Sequence, residues 1–221
     1  MKTISPLHLF TISLTTALLL VACGGGGNNG FKTTSNEPLT ELSDAEVQGL
    51  LFMREEEELA RDLYLDIYEA TGGHLQTFKN ISDKAETKHA EAIRLLLVRA
   101  NIEDPSTGRH DTYNDPELQE LYDTLYENAV VGDDVTTLRV GALVEETDIR
   151  DIRDFRDQVS EDQQDIIDTY DNLLCGSRNH LRAFVKEIED RTGSAYIKQV
   201  PELAEEVDAI LESDTERCGK Q

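Results

Sequence analysis

Four stretches of this chain repeat apolar residues at helical spacing, and each carries a carboxylate or a histidine inside the apolar stripe itself. Positions three, four and seven apart share one face of a helix. Glu57 shares a face with Leu50, Met53, Ala60 and Tyr64, while Glu86 and His89 lie with Ile81, Ala85, Ile93 and Leu96. Glu145 sits amid Leu138, Gly141, Ala142, Ile152 and Phe155, with Asp148 one turn on, and His180 follows Tyr170, Leu173, Leu174 and Ser177 in a seam continued by Leu181 and Phe184. Sustained β-branched alternation is scarce, so the periods predict an all-α fold.

The order of the stretches predicts a helical bundle. Ser43-Asp44-Ala45-Glu46 resembles a capping box opening a first helix, which runs to about Ala70 and stops at Thr71-Gly72-Gly73. A second helix starts near Phe78 or Ser82 and ends near Ala100. The segment from Glu103 to Pro116 has the Pro, Gly, Asn and Asp content of a loop and leads into a short helix, Glu117 to Asn128. The third long helix follows Gly132-Asp133-Asp134 and extends to about Val159, and the fourth runs from Ser160-Glu161 to about Arg191. A last short helix spans Pro201 to Ser213. This is a four-helix bundle with a long crossover containing a short helix, plus a short C-terminal helix.

Composition limits the chemistry. Formal net charge is −24, and all 45 acidic residues lie beyond residue 22. Such a surface disfavours nucleic acid, whose phosphates demand a basic face. Most of these carboxylates are expected to be solvated, among them Glu55, Glu58, Glu146, Asp151 and Asp154. Those in apolar seams need another explanation, because an isolated buried charge costs several kcal/mol even after relaxation. A metal ion removes that cost. Carboxylate and imidazole donors suit iron or manganese, and zinc less, while no Cys-x-x-Cys invites a thiophilic metal.

The N-terminal 22 residues read as a secretion signal: Lys2, an apolar run from Leu7 to Val21, then Leu20-Val21-Ala22-Cys23. That ending has the pattern of a bacterial lipoprotein signal, with Cys23 acylated. Residues 23–42 then form the lipidated Cys and a flexible Gly/Asn/Ser/Thr tether, 43–213 the helical domain and 214–221 a tail. The expected destination is the cell envelope, on a membrane reached through the lipid anchor. Gly24 after Cys23 is not an aspartate retention signal, which favours an outer membrane facing the periplasm. Cys175 and Cys218 are left either to pair in an oxidising compartment or to remain a buried and a free thiol.

Three of the ligand-bearing stretches carry a resemblance. Glu57-Glu58-Leu59-Ala60-Arg61 resembles the first-helix motif of rubrerythrins, Ala85-Glu86-Thr87-Lys88-His89-Ala90 is similar to their second-helix motif, and Glu145-Glu146-Thr147-Asp148 to their third-helix carboxylate pair. The chain is most similar to an uncharacterised bacterial family of rubrerythrin-related, ferritin-like domains with stretches like those at Met53 to Asp62 and Gly176 to Phe184. The resemblance implies a ferritin-like bundle with one or two metal ions on Glu57, Glu86, His89, Glu145, Asp148 and His180. It also implies redox handling of oxygen or peroxide, or oxidation of ferrous iron, by a mono-metal or di-metal oxidoreductase. Periodicity alone favours Glu56, more completely surrounded by apolar neighbours, whereas the resemblance favours Glu57.

Two departures narrow this reading. Ser177 stands three residues before His180, where rubrerythrins have a glutamate, and no four-cysteine electron-transfer module is present. The competing expectation is a non-enzymatic acidic binding module at the envelope, its seam groups joined by hydrogen bonds with no metal. A metal buffer without turnover is a third. No Gly-x-Ser-x-Gly context supports a hydrolase. Protein partner and homo-oligomerisation are left open.

Overall fold

The computed structural model describes residues 37–39 and 41–219, so the signal segment, Cys23 and most of the tether lie outside the described residues. Helix α1 (Asp44–Ala70) begins where Ser43 Oγ accepts the Glu46 amide at 3.2 Å and Glu46 Oε2 accepts the Ser43 amide at 2.6 Å, the reciprocal pair of a capping box. It ends at Thr71, with Gly72 and Gly73 at positive φ. Helix α2 (Gln76–Ile81) starts earlier than the apolar period suggests and passes through a π-helical turn (Ser82–Glu86) into α3 (Thr87–Ala100). Thr87 Oγ1 donates to the Ser82 carbonyl at 3.0 Å, giving the widened turn a side-chain bond.

The crossover loop leads to α4 (Pro116–Val131), whose N-cap Asp115 accepts the amides of Glu117 and Leu118. Helix α5 (Asp134–Arg156) is capped by Asp133, and α6 (Gln164–Thr192) starts after a turn at Ser160–Gln163 that the period assigned to the helix. A 3₁₀ turn (Pro201–Leu203) precedes α7 (Ala204–Glu212). Among the described residues there is no strand, and no helix is long and apolar enough to cross a membrane.

Short connections make α1 antiparallel to the α2–α3 unit and α5 antiparallel to α6. The α5–α6 pair has the most extensive contact, α1 packs on α3, and the two pairs meet through α1 on α5 and α3 on α6. Leu50, Met53 and Leu63 of α1, Ile93 and Leu96 of α3, Leu138, Ile149 and Ile152 of α5, and Leu173, Leu181 and Phe184 of α6 are fully buried between them. Gly141 permits the tight α5–α6 approach, because a Cβ there would lie 2.5 Å from the Phe184 ring. The core continues from Phe184 to Phe78, 4.9 Å between centroids, and to Tyr64 at 5.5 Å.

Cys175 and Cys218 form a disulfide that ties the tail to α6. Arg178 and Arg182 reinforce it by donating to the Glu216 carboxylate.

Several acids expected at the surface are structural. Glu55 is buried and accepts the Asn114 and Asp115 amides, fastening the crossover to α1. Glu146 is fully buried and accepts the Tyr196 hydroxyl and the Gln199 and Val200 amides, fastening the segment before α7. Glu58 is mostly covered and paired with Arg54 and Arg61. Amides donated to a buried carboxylate recover part of its desolvation cost, though at Glu55 burial still outweighs the Asn114 and Asp115 amides and leaves the carboxyl raised.

Candidate metal centre

The four ligand-bearing seams converge at the junction of the two helix pairs, where Glu86 occupies the middle. Its Oε2 is 2.9 Å from His89 Nδ1 and its Oε1 is 2.9 Å from His180 Nδ1, so one carboxylate faces two imidazoles with a separate oxygen for each. Each imidazole has a second carboxylate of its own: Glu57 Oε2 is 3.2 Å from His89 Nδ1, and Glu145 Oε2 is 3.4 Å from His180 Nδ1. The rings lie 5.7 Å apart at 28°. The result is two three-ligand groups, Glu57–Glu86–His89 and Glu86–Glu145–His180, joined through Glu86, with the donor atoms of each within 4.8 Å of one another.

Local structure sets each of these positions. Glu86 closes the π-helical turn and His89 lies three residues on, in the first turn of α3. Turns of this kind are found at functional sites because the extra residue changes which side chains share a face. Tyr64 donates to Glu145 Oε1 at 2.6 Å, which leaves Oε2 toward His180. Gly176 makes room for His89, since a Cβ there would lie 2.6 Å from ring atoms Cε1 and Nε2. This role of Gly176 was not read from the sequence. Its one signal was a glycine inside an otherwise uninterrupted helical period.

The cluster is strongly coupled. Burial opposes a charged His180, but Glu145 and Glu86 outweigh it and lift the imidazole to about 10. His89 is raised well above its ordinary range, burial again being overcome by Glu57 and Glu86. Burial pushes Glu57 up to about 7 despite the opposing pull of His89. Glu86 is held below the carboxylate range because the two imidazoles outweigh its burial. In this arrangement the imidazolium protons stand where positive charge is required. Ligation replaces those protons with a cation, since only a deprotonated ring nitrogen coordinates.

The donor set fits a hard metal ion. Glu57 Oε1 is buried with no hydrogen-bond donor, and His180 Nδ1, 2.9 Å from Glu86 Oε1, meets it as an ion pair without hydrogen-bond geometry. Oxygen and imidazole donors suit iron or manganese.

Asp148 and Ser177 stand apart from both groups. Ser177 is fully buried, and its hydroxyl donates to the Asp148 carboxylate, so neither supplies an atom to the two three-ligand sets. Burial, reinforced by Glu57, Glu145 and Glu86, raises Asp148 well above the ordinary carboxylate range. Glu56, the alternative to Glu57, is buried beside Asp148 and Asp151 rather than within either ligand set.

Fold and site together define an all-helical domain with a buried carboxylate–histidine cluster where its long helices meet. The chain belongs to an uncharacterised protein domain family, DUF2202, which matches it over residues 46–214. An uncharacterised protein of Methanocaldococcus jannaschii, MJ0754, is 41% identical over 186 residues, covering 83% of this chain and 95% of that protein. The crystal structure of the hypothetical protein MJ0754 from Methanococcus jannaschii is similar with a TM-score of 0.75 and 39% identity, over 82% of this chain and 100% of that one.

Proposed function

We propose that this chain is an envelope lipoprotein whose ferritin-like four-helix bundle holds iron or manganese through Glu57, Glu86, His89, Glu145 and His180. The observation that carries this reading is Glu86, presenting one oxygen to each of two imidazoles that each have a further carboxylate. With an ion bound, Glu86 would supply an oxygen toward each histidine, and His89 and His180 would each hold one side of the site. Asp148 is held beside them by Ser177. Iron or manganese bound here supplies electron transfer to oxygen or peroxide, or from ferrous iron.

The chain's own residues prepare that chemistry. Tyr64 orients Glu145, Gly176 seats His89, and the surrounding core excludes water, which strengthens every charge interaction inside. His89 and His180 give up their Nδ1 protons on ligation, so uptake is expected to weaken as pH falls. A metal-free network is less favoured by the buried Glu57 Oε1, which has no hydrogen-bond donor. The envelope assignment rests on residues 1–23 and their signal pattern.

Elemental analysis of protein purified from an exporting host tests the reading. Wild type should carry iron or manganese, and His89→Ala and Glu145→Ala should each lose most of it. Equal metal in all three proteins, or none in wild type, would refute the proposal.

A further inference from the structure

Glu86, the carboxylate shared by both ligand sets, is carried on a widened turn rather than on a regular helix, and Ser82 opens that turn. In a regular α-helix the Ser82 carbonyl would accept the amide of Glu86, four residues on. Here it accepts the Thr87 amide, five residues on, and also the Thr87 hydroxyl at 3.0 Å. Thr87 thus holds the acceptor that Glu86 needs to tighten the turn. One residue more or less in a turn rotates every side chain beyond it, so this spacing decides which way Glu86 faces.

Ser82 also docks the turn on its neighbour. It is 2% exposed, and its hydroxyl donates to the Arg61 carbonyl of α1 at 2.8 Å. Arg61 lies one helical turn from Glu57. A single bond therefore sets the turn that carries Glu86 against the helix that carries Glu57, and those two carboxylates meet the same His89 nitrogen, at 2.9 and 3.2 Å. The Lys79–Asp83 and Lys84–Asn80 bonds on the exposed side of the turn join residues of the same segment and give no such register.

We propose that Ser82 is a positioning residue for the metal centre: with Thr87 it keeps the turn widened and docked on α1, so that Glu86 turns one oxygen to each histidine. This rests on the metal-centre reading and adds the device that sets its shared ligand. Ser82 supplies no donor atom to either ligand set, and its effect reaches the centre through Glu86. A ligand whose supporting hydrogen bonds are removed loses its orientation, and the site loses affinity with it.

Titration of metal-free protein with Mn²⁺, the free ion being counted by electron paramagnetic resonance, tests this beside thermal denaturation. Ser82→Ala and Thr87→Val should each bind Mn²⁺ about tenfold more weakly than wild type. Thr87→Ser restores the hydroxyl and should bind as wild type does. Thr137→Val is the control: its buried hydroxyl donates to the Ala129 carbonyl at 2.8 Å, joining α5 to α4 two turns before Glu145, and its loss should lower the melting temperature without weakening Mn²⁺ binding. Thr87 is exposed, so its variants decide the matter should Ser82→Ala fail to fold. Wild-type affinity in either folded variant, Ser82→Ala or Thr87→Val, would overturn the positioning role while leaving the metal centre intact. So would weakening in Thr87→Val that Thr87→Ser does not reverse, or equal weakening in Thr137→Val, which would mark a general loss of stability. No Mn²⁺ binding by wild type would instead remove the metal centre and the role of Ser82 together.

Discussion

At the scale of single residues, Gly176 carries the geometric demand that bears on the cluster itself, because His89 occupies the space a methyl group would fill. Alanine in a helix interior is about 1 kcal/mol better than glycine in propensity. Overpacking a filled site costs roughly 1–3 kcal/mol. The two effects nearly offset in stability, so Gly176→Ala should remain folded while its His89 ring is displaced from Glu86. Metal retention should then fall roughly tenfold, as when a supporting contact to a ligand is lost. A dialysis series against a chelator, run beside circular dichroism, checks both halves. Wild-type retention in a folded Gly176→Ala would show that the close approach is not needed.

At the scale of elements, buried glutamates join helices to the segments that follow them in the chain. Glu46 caps α1 and also accepts the Ser160 amide at 2.8 Å, linking the start of α1 to the α5–α6 turn. Burial alone would raise its carboxyl, but the bonds from Ser160 and Ser43 outweigh burial and bring it below the ordinary 4.5. A carboxyl lowered by folding stabilises the native state above its unfolded pKa, and that contribution disappears as pH falls through the folded value. Glu46→Gln should therefore cost about 1 kcal/mol at neutral pH. The difference from wild type should shrink below about pH 4.5, as followed by urea denaturation across pH. A constant difference down to acid pH would mean that the Glu46 charge plays no part.

Much at this scale was legible in the sequence, for local reasons. Ser43, Glu46 and the Gly72-Gly73 stop place α1 at Asp44–Ala70 because caps act on adjacent backbone. The π-helical turn was not legible: a single widened turn leaves the average helical period nearly unchanged, and the second helix begins at Gln76 rather than Phe78 or Ser82. Glu55 and Glu146 looked solvated because they sit in acidic runs. Their covers, the crossover near Asn114 and the segment Tyr196–Val200, are distant in sequence, so no local pattern records the burial. Glu57, Glu86, His89, Glu145 and His180 were readable as candidates from their seams, but that Glu86 stands between the two histidines depends on how four helices meet.

At the scale of the whole molecule, a strongly acidic chain concentrates five ionisable side chains at one apolar junction and uses other carboxylates to secure its loops. The disulfide and the Glu216 pairs then fasten the tail to α6, the helix that carries His180. Burial on this scale without a cation favours protons on both imidazoles and leaves Glu57 Oε1 without a hydrogen-bond donor. Anomalous X-ray scattering from crystals of protein purified from an exporting host, recorded across the iron and manganese edges, observes the junction directly. A peak beside Glu86 and His89, or paired peaks flanking Glu86 toward both histidines, is the expected result. Maps with no anomalous peak in metal-supplemented crystals, and both histidines still paired directly with Glu86, would contradict a metal centre.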